Sequence, residues 1–512
     1  MDPFDRTSDS PCDLRTFARR GTWLAAIVGF KRLLARAGLP VVLLAGAPHS
    51  GLTAPSRDAS RPNIVILLAD DLGYGDLGCY GARQIKTPHL DRLAAEGMRF
   101  TDAHSPAGVC IPSRYGLLTG RYPFRNDAHP NRGPVIESGR LTMASLLRDR
   151  GYATGMVGKW HLGFEGGIEF DYSRPLRGGP TDRGFDSFFG IHASTDIPPY
   201  FFIRGDQVVM APTAQIAAGS SAGWSPIQGA FWRAGPIAPD LKLEEVMPRF
   251  TTEAVEWLER HARNENPKPF FLYVAFTAPH TPWLPRETFR GSPVGPYGDF
   301  VGQVDDAAGQ ILAALARTGA AENTLVIFSS DNGPVWYPED TQRLGHSSTG
   351  PLRGMKGDAW EGGHRMPFIA RWPGRTPAGT VNATTFSFVD LLATFAEING
   401  VTLPRDSAED SFSLLPVLLG RSPGPRPPVI SLTSRGTLSL REGNWKFIPA
   451  LGSGGFSRPA TERPTEGGPA GQLYNLAVDP AEQNNLWQAK PDVVARLAAQ
   501  LERSRADGRT RP

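Results

Sequence analysis

Asn63-Ile64-Val65-Ile66-Leu67-Leu68-Ala69 runs straight into Asp70-Asp71, and this stretch decides the fold class. An unbroken apolar run of this length reads as a strand buried on both faces. Two other runs share its character. Residues 270–276 are Phe-Phe-Leu-Tyr-Val-Ala-Phe and lead through Thr277-Ala278-Pro279 to His280. Residues 325–328 follow Thr324 and lead through Ser329-Ser330 to Asp331-Asn332-Gly333. Each buried strand therefore delivers polar groups at its C-terminal end.

Helical periodicity lies between these runs, at 88–97, 142–150, 251–263 and 297–317, the last with a stripe of Val301, Val304, Ala308, Ile311 and Leu312. Strand and helix alternate. The expected fold is α/β, a large, mostly parallel sheet with helices on both faces. In such sheets ligands bind beyond the carboxyl ends of the strands, which is where the polar groups fall. Near 420 the chain changes to Gly420-Arg421-Ser422-Pro423-Gly424-Pro425-Arg426-Pro427-Pro428, a semi-rigid stretch. Beyond it lie short strand candidates at 429–432, 437–440, 445–448 and 473–476, then a helix at 491–503. The expected organisation is a leader at 1–60, a catalytic domain at 61–425 and a small α+β subdomain at 426–512.

The 512 residues carry 54 basic and 51 acidic side chains, a formal net charge of +3. No block of one charge stands out, so nothing points to nucleic acid. Three cysteines make no disulfide framework, and their spacings match no zinc pattern. The leader holds two apolar runs, 23–30 and 39–47, each too short to span a bilayer. Lys31, Arg32 and Arg36 precede the second run and Ala45-Gly46-Ala47 closes it, the pattern of an export signal. The expected location is periplasmic or secreted, with no stable membrane span, and cytoplasmic if the leader is not a signal.

Asp70 and Asp71 repel each other at one strand end. That cost makes sense where a divalent cation sits between them and Asp331 and Asn332 add oxygen ligands from a second strand end. All four are hard oxygen donors, which favours calcium or magnesium over zinc or copper. Taken singly, Asp-Asp and Asp-Asn-Gly are common turn chemistry; set together on buried strands they read as a metal site.

Cys110-Ile111-Pro112-Ser113-Arg114, followed by Tyr115-Gly116-Leu117-Leu118-Thr119-Gly120-Arg121, names the chemistry. It resembles the type I sulfatase signature, of the arylsulfatase-like family in the alkaline phosphatase superfamily. Gly158-Lys159-Trp160-His161-Leu162-Gly163 resembles the second signature of that family, and Gln472-Leu473-Tyr474-Asn475-Leu476 resembles its closing subdomain. The resemblance implies an alkaline-phosphatase-like fold. It implies that Cys110 is oxidised to formylglycine (3-oxoalanine) by a formylglycine-generating or equivalent maturation enzyme, and that the hydrated aldehyde attacks sulfur. Calcium is then favoured, with position 110 joining Asp70, Asp71, Asp331 and Asn332 around it.

Further roles follow from the same resemblance. Arg114 holds the nucleophile or a sulfate oxygen, Lys159 and Lys356 bind sulfate, and His280 protonates the leaving oxygen. His161 takes a proton from the nucleophile. Ser194, in Gly190-Ile191-His192-Ala193-Ser194-Thr195-Asp196, aligns with a sulfate-contacting serine. A helix starting at Cys110 would present free N–H groups to an anion, with Pro112 suited to its first turn. Strand alternation would point Lys159 and His161 to one side and Trp160 into the core. Tyr200, Trp283 and Trp336 are aromatic candidates for a platform or for core, His364 reads as structural, and Cys12 and Cys79 as bland cysteines.

The expected activity is hydrolysis of sulfate esters, with a sulfated saccharide, a hexosamine 6-sulfate, as the substrate. Two alternatives stand beside it. One is a phosphonate monoester or phosphodiester hydrolase on the same fold. The other is a non-catalytic protein that binds sulfated glycans with Cys110 unmodified.

Overall fold

The computed structural model describes residues 61–512, and the leader with its expected export signal and Cys12 lies outside the described residues. An eleven-stranded sheet is carried by β1 (Asn63–Asp70), β2 (Met98–His104), β3 (Ala153–Lys159), β4 (Ser187–Ile191), β5 (Phe270–Pro279), β6 (Thr324–Ser330) and β7 (Arg365–Arg371). The run that opened the sequence is its centre. β1 lies between β5 and β6, parallel to both, and β3 continues the parallel part between β5 and β4. β7 is antiparallel to its neighbours β6 and β2.

Burial on both faces explains the unbroken apolar runs: every residue of β5 and β6 is buried, as is β1 from Ile64 onward. Helices α1 (Pro88–Glu96), α4 (Val246–Ala262) and α5 (Pro296–Arg317) pack together over the sheet. A second group, α2 (Cys110–Thr119), α3 (Met143–Asp149) and α6 (Asp390–Ile398), packs together as well. Thr142 caps α3 by accepting from the Ser145 N–H. α4 begins at Val246, earlier than the expected 251, because Pro248 sits in its first turn, where a missing N–H costs nothing. Among the described residues no helix is long and apolar enough to cross a membrane.

Register decides what meets at the edge. Ala69 pairs with Ser330 and Asp70 with Pro279, so Asp70-Asp71, His280 and Asp331-Asn332 emerge side by side. Gly158 pairs with Ala275, which brings Lys159 to the same edge.

At the C-terminus β8 (Val429–Leu432), β9 (Leu438–Glu442), β10 (Trp445–Ile448) and β11 (Gln472–Asn475) form an antiparallel sheet, with α7 (Pro491–Ala506) after it. Its apolar core takes in Tyr122 and Val389 from the first part of the chain. The proline-rich stretch before β8 has no regular structure, but Arg426 ties it down by donating from Nε to Asp390 Oδ2 at 2.7 Å.

A buried polar chain joins the two sheets. Lys446 donates to Glu361 Oε1 at 2.9 Å and to His364 Nε2 at 2.6 Å. An ammonium only donates, so His364 Nε2 accepts and its Nδ1–H donates to His104 Nδ1, 3.1 Å away. His104 then donates from Nε2 to Asp102 Oδ1 at 2.8 Å. Burial holds both imidazoles below their ordinary range, His364 well below, and the relay satisfies them uncharged.

Candidate active site

Three strand ends converge, and each carboxylate there has its own cation. Asp70 Oδ2 accepts from Lys159 Nζ at 2.6 Å, Asp71 from Lys356 Nζ at 2.7 Å, and Asp331 Oδ2 from Arg114 Nε at 2.9 Å. All six side chains are buried. Burial alone would raise the pKa of Asp70, but Lys159, His280, Arg114 and Lys356 outweigh it and hold this carboxyl well below its usual range. Burial and the charge of Asp70 push Asp331 the other way, up to about 6. Negative charge is crowded locally around Asp331.

Two buried oxygens, Asp70 Oδ1 and Asn332 Oδ1, have no hydrogen-bond partner. Asn332 donates from Nδ2 to Asp71 Oδ1 at 2.6 Å, which directs its amide oxygen elsewhere. Orphaned buried oxygens are costly unless something positive takes them up. The donor set of three carboxylates and one amide oxygen fits a hard divalent cation. Asp70, Asp71 and His280 are also close enough to offer one ligand atom each to a single ion. A second such group, His104, Glu361 and His364, is already served by the Lys446 ammonium and does not call for a metal.

Cys110 is the first residue of α2, and no side chain caps that helix end. It is buried, with Sγ 3.4 Å from His161 Nδ1. Burial pushes its thiol pKa up, opposed by Lys159 and Lys356. Arg114, one turn on, donates from Nη1 to the Lys159 carbonyl at 3.3 Å besides pairing with Asp331. Ser113 donates to the Asp331 carbonyl at 2.5 Å. The helix N-terminus and three cations surround position 110 with positive potential.

The strand alternation expected for Lys159 and His161 does not hold. β3 stops at Lys159, and His161 takes a left-handed backbone, φ 58°. The turn is stabilised by the His161 N–H, which donates to the His192 carbonyl at 2.9 Å. Both side chains still reach the site, by different routes. Burial first, then Lys159 and Arg114, keep the His161 imidazole well below its usual pKa, so it is a neutral base. Trp160 is core, as expected.

His280 follows β5 and places Nε2 3.7 Å from Asp71 Oδ2. Its Nδ1 is 2.6 Å from the Thr281 carbonyl, which only accepts, so Nδ1 carries a proton. Ser194 and Asp196 lie in the loop after β4. Ser194 Oγ is buried with no partner. Tyr200, Trp283 and Trp336 are buried packing residues, not platforms: Tyr297 lies 4.9 Å from Trp336 and 5.1 Å from Trp283, and Tyr200 is 4% exposed with its hydroxyl donating to the Arg233 carbonyl at 2.7 Å. Cys79 is a bland, half-buried thiol, pushed up to about 12 by burial and Asp91.

Several supporting residues escaped the sequence reading. Asp76 accepts from the Gly73 N–H at 2.6 Å, from Tyr297 Oη at 2.5 Å and from Ser348 Oγ at 2.8 Å, and its other oxygen meets His346 Nε2 at 2.8 Å. This knot sits under the loop that carries Asp71, whose carbonyl Tyr297 also approaches at 3.3 Å. The recurrence of an acidic residue after Asp70-Asp71-Leu72-Gly73-Tyr74-Gly75 is the only signal for it in the sequence.

A family profile described as Sulfatase matches residues 62–401, most of the described chain and every element of this site. The chain belongs to the sulfatase family. This sulfatase is 35% identical over 505 residues to an N-acetylgalactosamine-6-O-sulfatase of Bacteroides thetaiotaomicron, covering 90% of this chain and 96% of that one. It is 36% identical over 492 residues to human arylsulfatase A, covering 88% and 90%. A solved B. thetaiotaomicron sulfatase from a study of glycosaminoglycan metabolism superposes with a TM-score of 0.78 at 34% identity, over 87% of this chain and all of that one. The sulfatase is therefore a sulfuric ester hydrolase of the arylsulfatase-like type, with the mixed, mostly parallel sheet of the alkaline phosphatase superfamily.

Proposed function

We propose that this sulfatase removes sulfate from a sulfated sugar, a hexosamine 6-sulfate, using formylglycine at position 110 and a calcium ion. The observation that carries the reading is the convergence of Cys110, His161 and three separately paired cations on one buried point beside two orphaned oxygens. Asp70, Asp71, Asp331 and Asn332 would hold the ion, position 110 joining them, and the charges of the three carboxylates and three cations cancel before it binds. When both groups are in place, the ion supplies positive charge for the sulfuryl oxygens and the hydrated formylglycine supplies the attacking hydroxyl.

The chain's own residues do the rest. Arg114, always charged, fixes Asp331 and keeps the floor of the site positive. Lys159 and Lys356 offset the charge that spreads over the sulfuryl oxygens as the ester bond lengthens, and Ser194 Oγ donates to one of them. His280 passes a proton from Nε2 to the departing oxygen. Neutral His161 takes a proton from the group at position 110 through Nδ1. The sugar reading draws on the bacterial relative, an N-acetylgalactosamine-6-O-sulfatase. The export expected from the leader fits action on material outside the cytoplasm.

Two measurements on one preparation test this. Mass spectrometry of the peptide carrying position 110 should show the aldehyde, and an intact thiol in protein from the native host would exclude the nucleophile. Rates on a sulfate ester and a phosphodiester with one leaving group should favour the sulfate; faster phosphodiester turnover would refute the assignment.

A further inference from the structure

Asp196 has no part in the reaction described so far, yet it is only 4% exposed and stands at the site. Oδ2 accepts from Arg233 Nη1 at 2.5 Å. Oδ1 is buried with no hydrogen-bond partner and lies 3.9 Å from His280 Nδ1. That nitrogen already donates to the Thr281 carbonyl at 2.6 Å, so its proton is taken. Arg233 is half exposed, lies 5.2 Å over the Phe231 ring, and is tied to the Asp196 backbone through its own N–H at 3.2 Å. The Thr281 hydroxyl donates to the Gly229 carbonyl at 2.8 Å, which fastens this segment against the loop that carries His280.

A bare carboxylate next to an anion site would repel the substrate. The Arg233 pair cancels that charge and leaves one oxygen as a strong acceptor. A buried acceptor without a donor is costly, and a hydroxyl of the ligand would supply one. The free oxygen stands on the Nδ1 side of His280, whose Nε2 is turned toward Asp71, so it lies on the side of the histidine away from the carboxylates that would hold the ion and nearer the alcohol half of the ester than the sulfate.

We propose that Asp196, held by Arg233, accepts a hydrogen bond from a hydroxyl of the leaving alcohol close to the ester oxygen, and so selects polyhydroxylated sugar sulfates over aryl sulfates. The proposal rests on the sulfatase reading above and adds the group that reads the sugar. A site built to pair with a substrate hydroxyl rejects the analogue that lacks it more strongly than a hydrophobic pocket rejects a missing methylene.

Asp196→Ala and the near-isosteric Asp196→Asn are compared with wild type on N-acetylgalactosamine 6-sulfate, its 3-deoxy and 4-deoxy analogues, and 4-nitrophenyl sulfate. The alanine variant should lose roughly 10- to 100-fold in kcat/KM on the sugar sulfate, as for a hydrogen bond to a charged acceptor, and the asparagine variant less. Both should stay within about threefold of wild type on the aryl sulfate, which also shows that they fold. One deoxy analogue should cost wild type a similar factor and cost Asp196→Ala nothing more. A variant that loses equally on every ester, deoxy sugars included, overturns the proposal in favour of an effect through His280 or the fold. No loss on the sugar sulfate overturns it as well. Wild type that cleaves the aryl but not the sugar ester overturns this proposal together with the sugar assignment and leaves the sulfatase reading standing, whereas wild type that cleaves neither refutes the sulfatase reading beneath it.

Discussion

Metal binding at the strand-end site should weaken in acid, and the structure gives the size of the effect. In the metal-free protein Asp331 is pushed up from 3.8 to about 6, by burial and by Asp70. Such a group contributes stability that is full below its unfolded value and lost as pH rises through about 6, so the empty site is most strained near neutrality. A cation relieves that strain, but below pH 6 it must first displace a proton. Its affinity should fall about tenfold per pH unit there, roughly thirtyfold from pH 7.5 to 4.5, or about 2 kcal/mol. Asp70, with its pKa lowered, changes only at pH below its ordinary 3.8 and stays out of this window. His104, His161 and His364, held neutral by burial, destabilise the fold as pH drops through 6.5, but do so with or without metal. Calcium is titrated into chelator-treated protein by calorimetry, in buffers of different ionisation enthalpy. Proton release should be near zero at pH 7.5 and approach one per ion at 4.5. Affinity that is flat across this range, with no proton released, would refute the reasoning.

Lys356→Ala leaves buried Asp71 without its ammonium and should lower kcat/KM by about 10²–10³; a loss under threefold in steady-state assays would remove Lys356 from the chemistry. Lys446→Met removes the nearest cation from buried Glu361, leaving it Arg365 at 3.4 Å, and takes the donor from His364, and should cost about 3 kcal/mol in denaturant unfolding. Hydrogen exchange should then rise first across 429–475, with aryl sulfate turnover per folded molecule unchanged; an unaltered midpoint would show that the relay does not hold the second sheet. Gly158→Ala places a Cβ 1.9 Å from the Ala275 carbonyl at φ +117°, so both stability and turnover should fall, because Lys159 is the next residue. A variant as active as wild type would mean that β3 can shift without moving Lys159.

Much of the site was legible because the strands that carry it are buried on both faces. A run such as Asn63–Asp70 has no polar interruption until it leaves the core, so its first charged residues mark the sheet edge. Cys110 and Arg114 were legible as parts of one short motif. Other residues were not, for a physical reason. Asp76 meets His346 and Ser348 only after the chain has crossed the sheet several times. Asp196 gives no sign in its own segment that its partner is Arg233, which returns on a different loop. His161 was placed at the site for the wrong geometric reason, since a left-handed residue after a strand breaks the two-residue alternation. The antiparallel strands β2 and β7 lacked the long apolar runs that marked the centre.

The C-terminal sheet touches the chain immediately ahead of Cys110. Gly108 donates to the Leu432 carbonyl at 2.9 Å and accepts from the Gly357 N–H at 2.7 Å, and Ser434 donates to Gly357 at 3.0 Å. Once these bonds form, position 110 is 8% exposed, which leaves a second enzyme little of this peptide to grasp. If formylglycine is made at this position, as proposed above, its formation is expected to precede this closure. About 300 residues separate the cysteine from the segment that shuts it in, roughly 15–60 s of synthesis at ordinary rates. Under the formylglycine reading proposed above, the fraction of active molecules would be set in that interval as a race between an encounter and a closure, and slowing translation should raise it.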